Sequence, residues 1–93
     1  MDFSEALLAL KEGDILQREA WDENLIISTQ IPNTIPNEVI SKMTSLRDNL
    51  KRCLAYSNLY YLNQIILVDI DSGEITYYIP TSADLFAEDW LAY

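Results

Sequence analysis

Apolar positions in the first dozen residues recur at helical spacing. Leu7, Leu8 and Leu10 form a stripe within residues 2–12. Asp2 and Glu5 stand three apart, as a capping box requires, and Gly13 is a suitable stop just past the C-terminus. The pattern then shortens. Ile15-Leu16-Gln17-Arg18 reads as a short strand ending near Trp21, and Asp22-Glu23-Asn24 as a turn. Residues 25–31 are rich in strand formers, with Leu25, Ile27, Thr29 and Ile31 sharing one face. Pro32 and Pro36 bracket a loop.

Residues 37–56 carry the longest helical pattern: Val39, Ile40, Met43, Leu46, Leu50, Cys53 and Leu54. Glu38–Lys42 and Asp48–Arg52 are oriented i,i+4 pairs on its polar side. Residues 58–64 fit neither period. Residues 65–70 and 74–79 read as two strands of a hairpin around Asp71-Ser72-Gly73, with Gly73 available for positive φ. Pro80 stops the second strand, and Thr81 or Ser82 can cap a last short helix running to Phe86. The order α-β-β-α-β-β-α predicts an α+β fold, a small antiparallel sheet packed against helices in a single domain over residues 1–93.

Charge narrows the function classes. The chain holds 6 basic and 15 acidic residues, net −9, with no His and one Cys. A binder of nucleic-acid polymers needs a basic footprint, and an anionic membrane surface attracts basic segments; neither partner is expected. Without His there is no Ser–His or Cys–His dyad, and a lone Cys53 cannot form an internal disulfide. No nucleophile has a base beside it, so the chain is read as a non-enzyme without a cofactor. Residues 1–5 offer no basic leader and residues 65–68 are too short to span a bilayer, so a cytoplasmic location is expected. The charges are also unevenly spread: residues 36–56 carry net +2, the remainder −11. A solvated helix face accounts for the first figure; docking of that helix on a second acidic copy is the alternative.

Two clusters carry candidate chemistry. Arg18 and Trp21 place a cation and a stacking platform three apart at a strand end. Thr81, Ser82 and Asp84 place two hydroxyls and a carboxylate at a helix start, where backbone N–H groups attract anions and a carboxylate can accept from a ribose diol. Both clusters have plainer accounts, a half-buried Trp with a salt bridge and an ordinary cap, and residue type alone favours those. Tyr78, among the many tyrosines, and Asn24, in the turn after Trp21, complete the set of candidate ligand-binding residues. Asp69 and Asp71 share a strand face, but no third carboxylate follows at metal-ligand spacing, so a polar hairpin end is the better reading and no metal is expected. Glu88-Asp89 reads as a surface pair or cap.

Three segments together resemble a known family. The opening Met1-Asp2-Phe3-Ser4-Glu5-Ala6-Leu7 with Leu10-Lys11-Glu12-Gly13, the pair Arg18 and Trp21, and the ending Asp84-Leu85-Phe86-Ala87-Glu88-Asp89-Trp90 look like the phage Thoeris anti-defence protein 2 family. The likeness covers residues 1–24 and 65–90 and leaves 32–63 outside it. Gln17, Arg18 and Ala20 stand where the family usually has two basic residues and a Gly. The resemblance implies a protein that sequesters a cyclic nucleotide immune signal without cleaving it, in the infected bacterial host. Glyco-cyclic ADP-ribose is the Thoeris signal, and cyclic dinucleotides are the further possibility. It also implies a homo-oligomer, with a tetramer expected. The alternative from composition is an acidic interaction protein that mimics nucleic acid and blocks a host DNA-binding protein; a hydrolase using carboxylates alone stands third.

Overall fold

The computed structural model describes residues 1–93. Two long antiparallel strands organise it: β2 (Leu25–Gln30) and β5 (Gln64–Asp69) pair from Leu25↔Asp69 to Gln30↔Gln64. Around them, β1 (Leu16–Arg18), β6 (Ile75–Tyr77) and β7 (Trp90–Ala92) complete a five-stranded sheet in the order β6-β5-β2-β1-β7, antiparallel throughout. With four helices, α1 (Phe3–Lys11), α2 (Asn37–Ile40), α3 (Asp48–Cys53) and α4 (Ser82–Phe86), the fold is α+β as expected.

The chain groups into two compact units: residues 1–30 with 64–93, and an insertion, 31–63, between the paired strands β2 and β5. In the first unit, α1 begins with the predicted box, Asp2 accepting from the Glu5 amide and Glu5 accepting from the Asp2 amide. Gly13 then takes a φ of 96°, which ends the helix without a Cβ penalty. The buried stripe of α1 is Ala6 and Leu10, four apart; Leu8, expected on that face, is exposed. Ala6 and Leu10 meet Leu16, Ile27 and Trp90, and this cluster is the core. Strand pairing puts Leu16 beside Ile27 and Ile27 beside Leu67, so cross-strand neighbours present one apolar face. The 69–74 turn closes as read, with Gly73 at a φ of 76°, but the second strand is shorter than the expected 74–79 and ends at Tyr77, ahead of Pro80. Asp69 holds it, accepting from the Asn24 side chain at 2.9 Å and from the Asp71 and Ser72 amides. These hydrogen bonds, led by that from Asn24, hold the Asp69 carboxyl below its ordinary range.

Several expectations are corrected. Ile31 lies beyond the end of β2 and is exposed. The Pro32–Pro36 segment is not a loop but a strand, β3 (Asn33–Ile35), paired with β4 (Leu59–Tyr61), which also resolves the ambiguous 58–64 stretch. The single helix over 37–56 is two short helices separated by residues 41–47. The reason is visible at Asn37, whose side-chain NH2 shares its two protons among the carbonyls of Leu54, Ala55 and Ser57. In a straight helix Asn37 and Ala55 would stand about 27 Å apart at 1.5 Å per residue, so those bonds require the chain to fold back. Thr44 and Ser45 sit in the break, where hydroxyls compete with helical hydrogen bonding. The i,i+4 pairs are lost with the helix; Lys51 instead lies 3.9 Å from Asp48. No helix is long and apolar enough to cross a membrane.

Candidate functional site

Asp84 is the centre of the first unit's polar chemistry. It is the buried charged residue of the fold, 6% exposed. Its position follows from local sequence: Thr81 caps α4 by accepting from the Asp84 amide at 3.1 Å, and the Asp84 carboxylate accepts from the Thr81 amide at 3.1 Å. That reciprocal box aims the carboxylate back toward β1 and the end of β6. There Oδ1 accepts from Arg18 Nη1 at 3.0 Å and Oδ2 accepts from the Tyr78 hydroxyl at 2.7 Å. The Asp84 carbonyl receives the Trp90 indole N–H at 3.1 Å.

Arg18 is held from two sides. Its Nε donates to Asp89 Oδ1 at 2.9 Å, while Asp89 Oδ2 accepts from the Ala20 amide. Asp89, expected on the surface, is therefore the outer end of an Asp89–Arg18–Asp84–Tyr78 chain. Each member tunes the others. Hydrogen bonds to Asp89 and Asp84 raise Arg18 further above its ordinary value. The bond from Arg18 keeps Asp89 below its own. At Asp84 burial opposes ionisation, yet the bonds from Tyr78, Thr81 and Arg18 outweigh it and the carboxyl stays low. Burial first, and then donation to Asp84, push the Tyr78 phenol well up.

Above this chain lie the rings. Trp21, placed by a turn whose amide donates to the Arg18 carbonyl, stands edge-to-face with Trp90 at 5.2 Å and with Tyr78 at 5.9 Å. A cavity of about 500 Å³ opens beside them, walled by Trp21, Leu25, Leu67, Tyr77, Tyr78 and Ile79, with Thr81 and Asp84 at its polar end.

The structure thus brings Arg18, Trp21, Tyr78, Thr81 and Asp84 into one site. It separates Asn24, which is committed to the Asp69 hairpin, and Ser82, which is exposed. Arg18 lies behind Asp84 in an ion pair with two carboxylates rather than open to a phosphate. Sequence reading missed Leu25, Leu67, Tyr77 and Ile79 as walls, and Asp89 and Trp90 as supports. The last two do have a signal in the sequence, the ending Asp84–Trp90 that carries the family resemblance, and the structure pairs Trp90 with Arg18 across β7 and β1.

The Thoeris anti-defense 2-like domain (Tad2-like) family model matches residues 1–93, the whole chain. The chain belongs to this family, including the 32–63 segment that the motif resemblance left out, and its role is anti-Thoeris defence by phage. No curated protein sequence matches it.

Proposed function

We propose that the protein binds a cyclic nucleotide immune signal and withholds it from its receptor without cleaving it, in the cytoplasm of the infected cell. Glyco-cyclic ADP-ribose is the first ligand to test, and cyclic dinucleotides the next. The observation that carries this reading is the cavity of about 500 Å³ flanked by Trp21 and Tyr78, with a carboxylate at its end. Its volume falls within the few hundred to a thousand Å³ of small-molecule sites. A base stacked on Trp21 gains about 1–3 kcal/mol. Asp84, already accepting from three donors, serves chiefly to fix Tyr78 and Thr81, and its remaining acceptor capacity faces the ribose. Exposed Ile75, Tyr77, Ile79 and Phe86 support the further expectation of a homo-oligomer, a tetramer.

Calorimetry with each cyclic nucleotide, followed by heating and chemical identification of the released ligand, tests the proposal. Saturable binding and intact release are expected. A processed product would make the protein an enzyme, and no binding by any cyclic nucleotide would overturn the reading.

A further inference from the structure

In the first unit Arg18 is spent on Asp84 and Asp89, and Lys11 stands in the last turn of α1, outside the lining of the Trp21 cavity. Most of the unpaired cations belong to the insertion. Residues 31–63 hold Lys42, Arg47, Lys51 and Arg52 against Glu38 and Asp48. Among these, the ion pair formed is the long Lys51–Asp48 contact; Arg52, Arg47 and Lys42 have no carboxylate partner. Folding back of α3 onto α2 also creates a cavity of about 500 Å³ within this unit, lined by the cations Lys51 and Arg52, the carboxylates Glu38 and Asp48, and Asn37, Ile40, Ser41 and Leu54. Lys51 is largely buried along its stem, and its ammonium donates to the Ser41 carbonyl at 3.4 Å, leaving two of its three protons unassigned. Asp48, also in the lining, lies 3.9 Å from the Lys51 ammonium, and its side chain is 89% exposed, so water screens its competition for Lys51.

From this arrangement we infer a second, separate ligand site: the α2–α3 cavity of the insertion binds a small phosphate-bearing anion through Lys51 and Arg52. Ile40 and Leu54 give the cavity an apolar floor, so part of the anion's water is displaced and the two cations act at reduced screening. The Ser41 hydroxyl donates to the Glu38 carbonyl at 3.5 Å, so the two cations carry the recognition. A polyanion or an anionic membrane is disfavoured, because the rest of the chain carries net −11 and would repel an extended charged surface, whereas a compact anion meets only the cavity. The inference goes beyond the cyclic-nucleotide reading and rests on the insertion alone.

The test is titration of the full-length protein with inorganic pyrophosphate at low salt, followed by amide NMR. Saturable shifts are expected at residues 37–41 and 48–55, and none at 18–21 or 78–84. The combined substitution Lys51→Met with Arg52→Gln should weaken binding about tenfold or more. Asp48→Asn, at an exposed side chain that leaves the fold intact, should tighten it severalfold by removing a competing carboxylate. Absence of saturable shifts, shifts confined to the first unit, or an affinity indifferent to Asp48→Asn would overturn the site. The cyclic-nucleotide proposal is read separately, by calorimetry on the Trp21 cavity, so either can fail while the other stands.

Discussion

The two units of this chain fold by different means. Residues 1–30 and 64–93 build a five-stranded sheet whose apolar face closes on α1 through Ala6, Leu10, Leu16, Ile27 and Trp90. The insertion has a two-stranded hairpin, two helices of four and six residues, and Ile40 as its buried apolar residue. A unit with so little to bury leans on directed bonds, and Asn37 supplies them, tying its own turn of chain to residues 54–57. The first unit also makes directed bonds, but those around Asp84 lie on top of a packed core. Charge follows the same division: the first unit sets Lys11 and a sequestered Arg18 against most of the acidic residues, while the insertion carries a net positive charge. The difference teaches that rigidity and electrostatics can be assigned to separate parts of a 93-residue chain.

The comparison breaks most readily at the core. Trp90→Ala should cost about 3–5 kcal/mol in a denaturant melt, because a large fully buried side chain is lost and the Asp84 carbonyl loses its donor. If the melt barely moved, the first unit would not depend on this cluster. Asp84→Ala comes next, at about 3 kcal/mol, the lower end for breaking a buried pair because Arg18 keeps Asp89. As an ordinary cap Asp84 would matter little; as a buried acceptor of bonds from Arg18, Tyr78 and Thr81 it matters far more.

Acid titration sharpens the same point. Asp84, Asp89 and Asp69 all have carboxyls held low in the fold, so their contribution is complete above about pH 4, the unfolded value, and is lost as pH falls below it. Tyr78 works in the opposite direction: its raised phenol keeps its contribution below about pH 10 and loses it above. A stability profile of Asp84→Ala should be flatter at both ends than that of the parent protein.

In the insertion, Ile40→Ala should cost about 2 kcal/mol, since the thin surroundings can collapse around the gap. Hydrogen exchange should show amides 37–54 losing protection first; uniform loss across the β2–β5 pair would mean the units unfold as one. The smallest effect on stability is expected for Trp21→Ala, about 1–2 kcal/mol from two edge-to-face pairs on a half-buried ring. The same substitution should abolish cyclic nucleotide binding, so circular dichroism beside calorimetry separates the ring's packing role from its ligand role. A folded variant with full affinity would remove Trp21 from the site.

Sequence alone determined what is decided within a few residues. The Asp2–Glu5 box, a cap at Thr81 or Ser82, the stop at Gly13, the Gly73 hairpin and the long strands β2 and β5 were all legible, because caps, turns and apolar alternation act between near neighbours. The grouping of Arg18, Trp21, Tyr78 and Asp84 was legible only as a set of residue types. Their roles required tertiary distances: whether Arg18 was free or paired with Asp84, 66 residues away, and whether the Asp84 carboxylate faced solvent or turned back onto Tyr78. Tertiary structure also decided β7, a three-residue strand that exists because β1 offers it a partner, and the broken helix of the insertion. There the helical period of Val39 to Leu54 was genuine, but period reports only which face a helix would bury. Whether the chain stays straight depends on bonds such as those from Asn37 to residues 54–57, which no local pattern encodes.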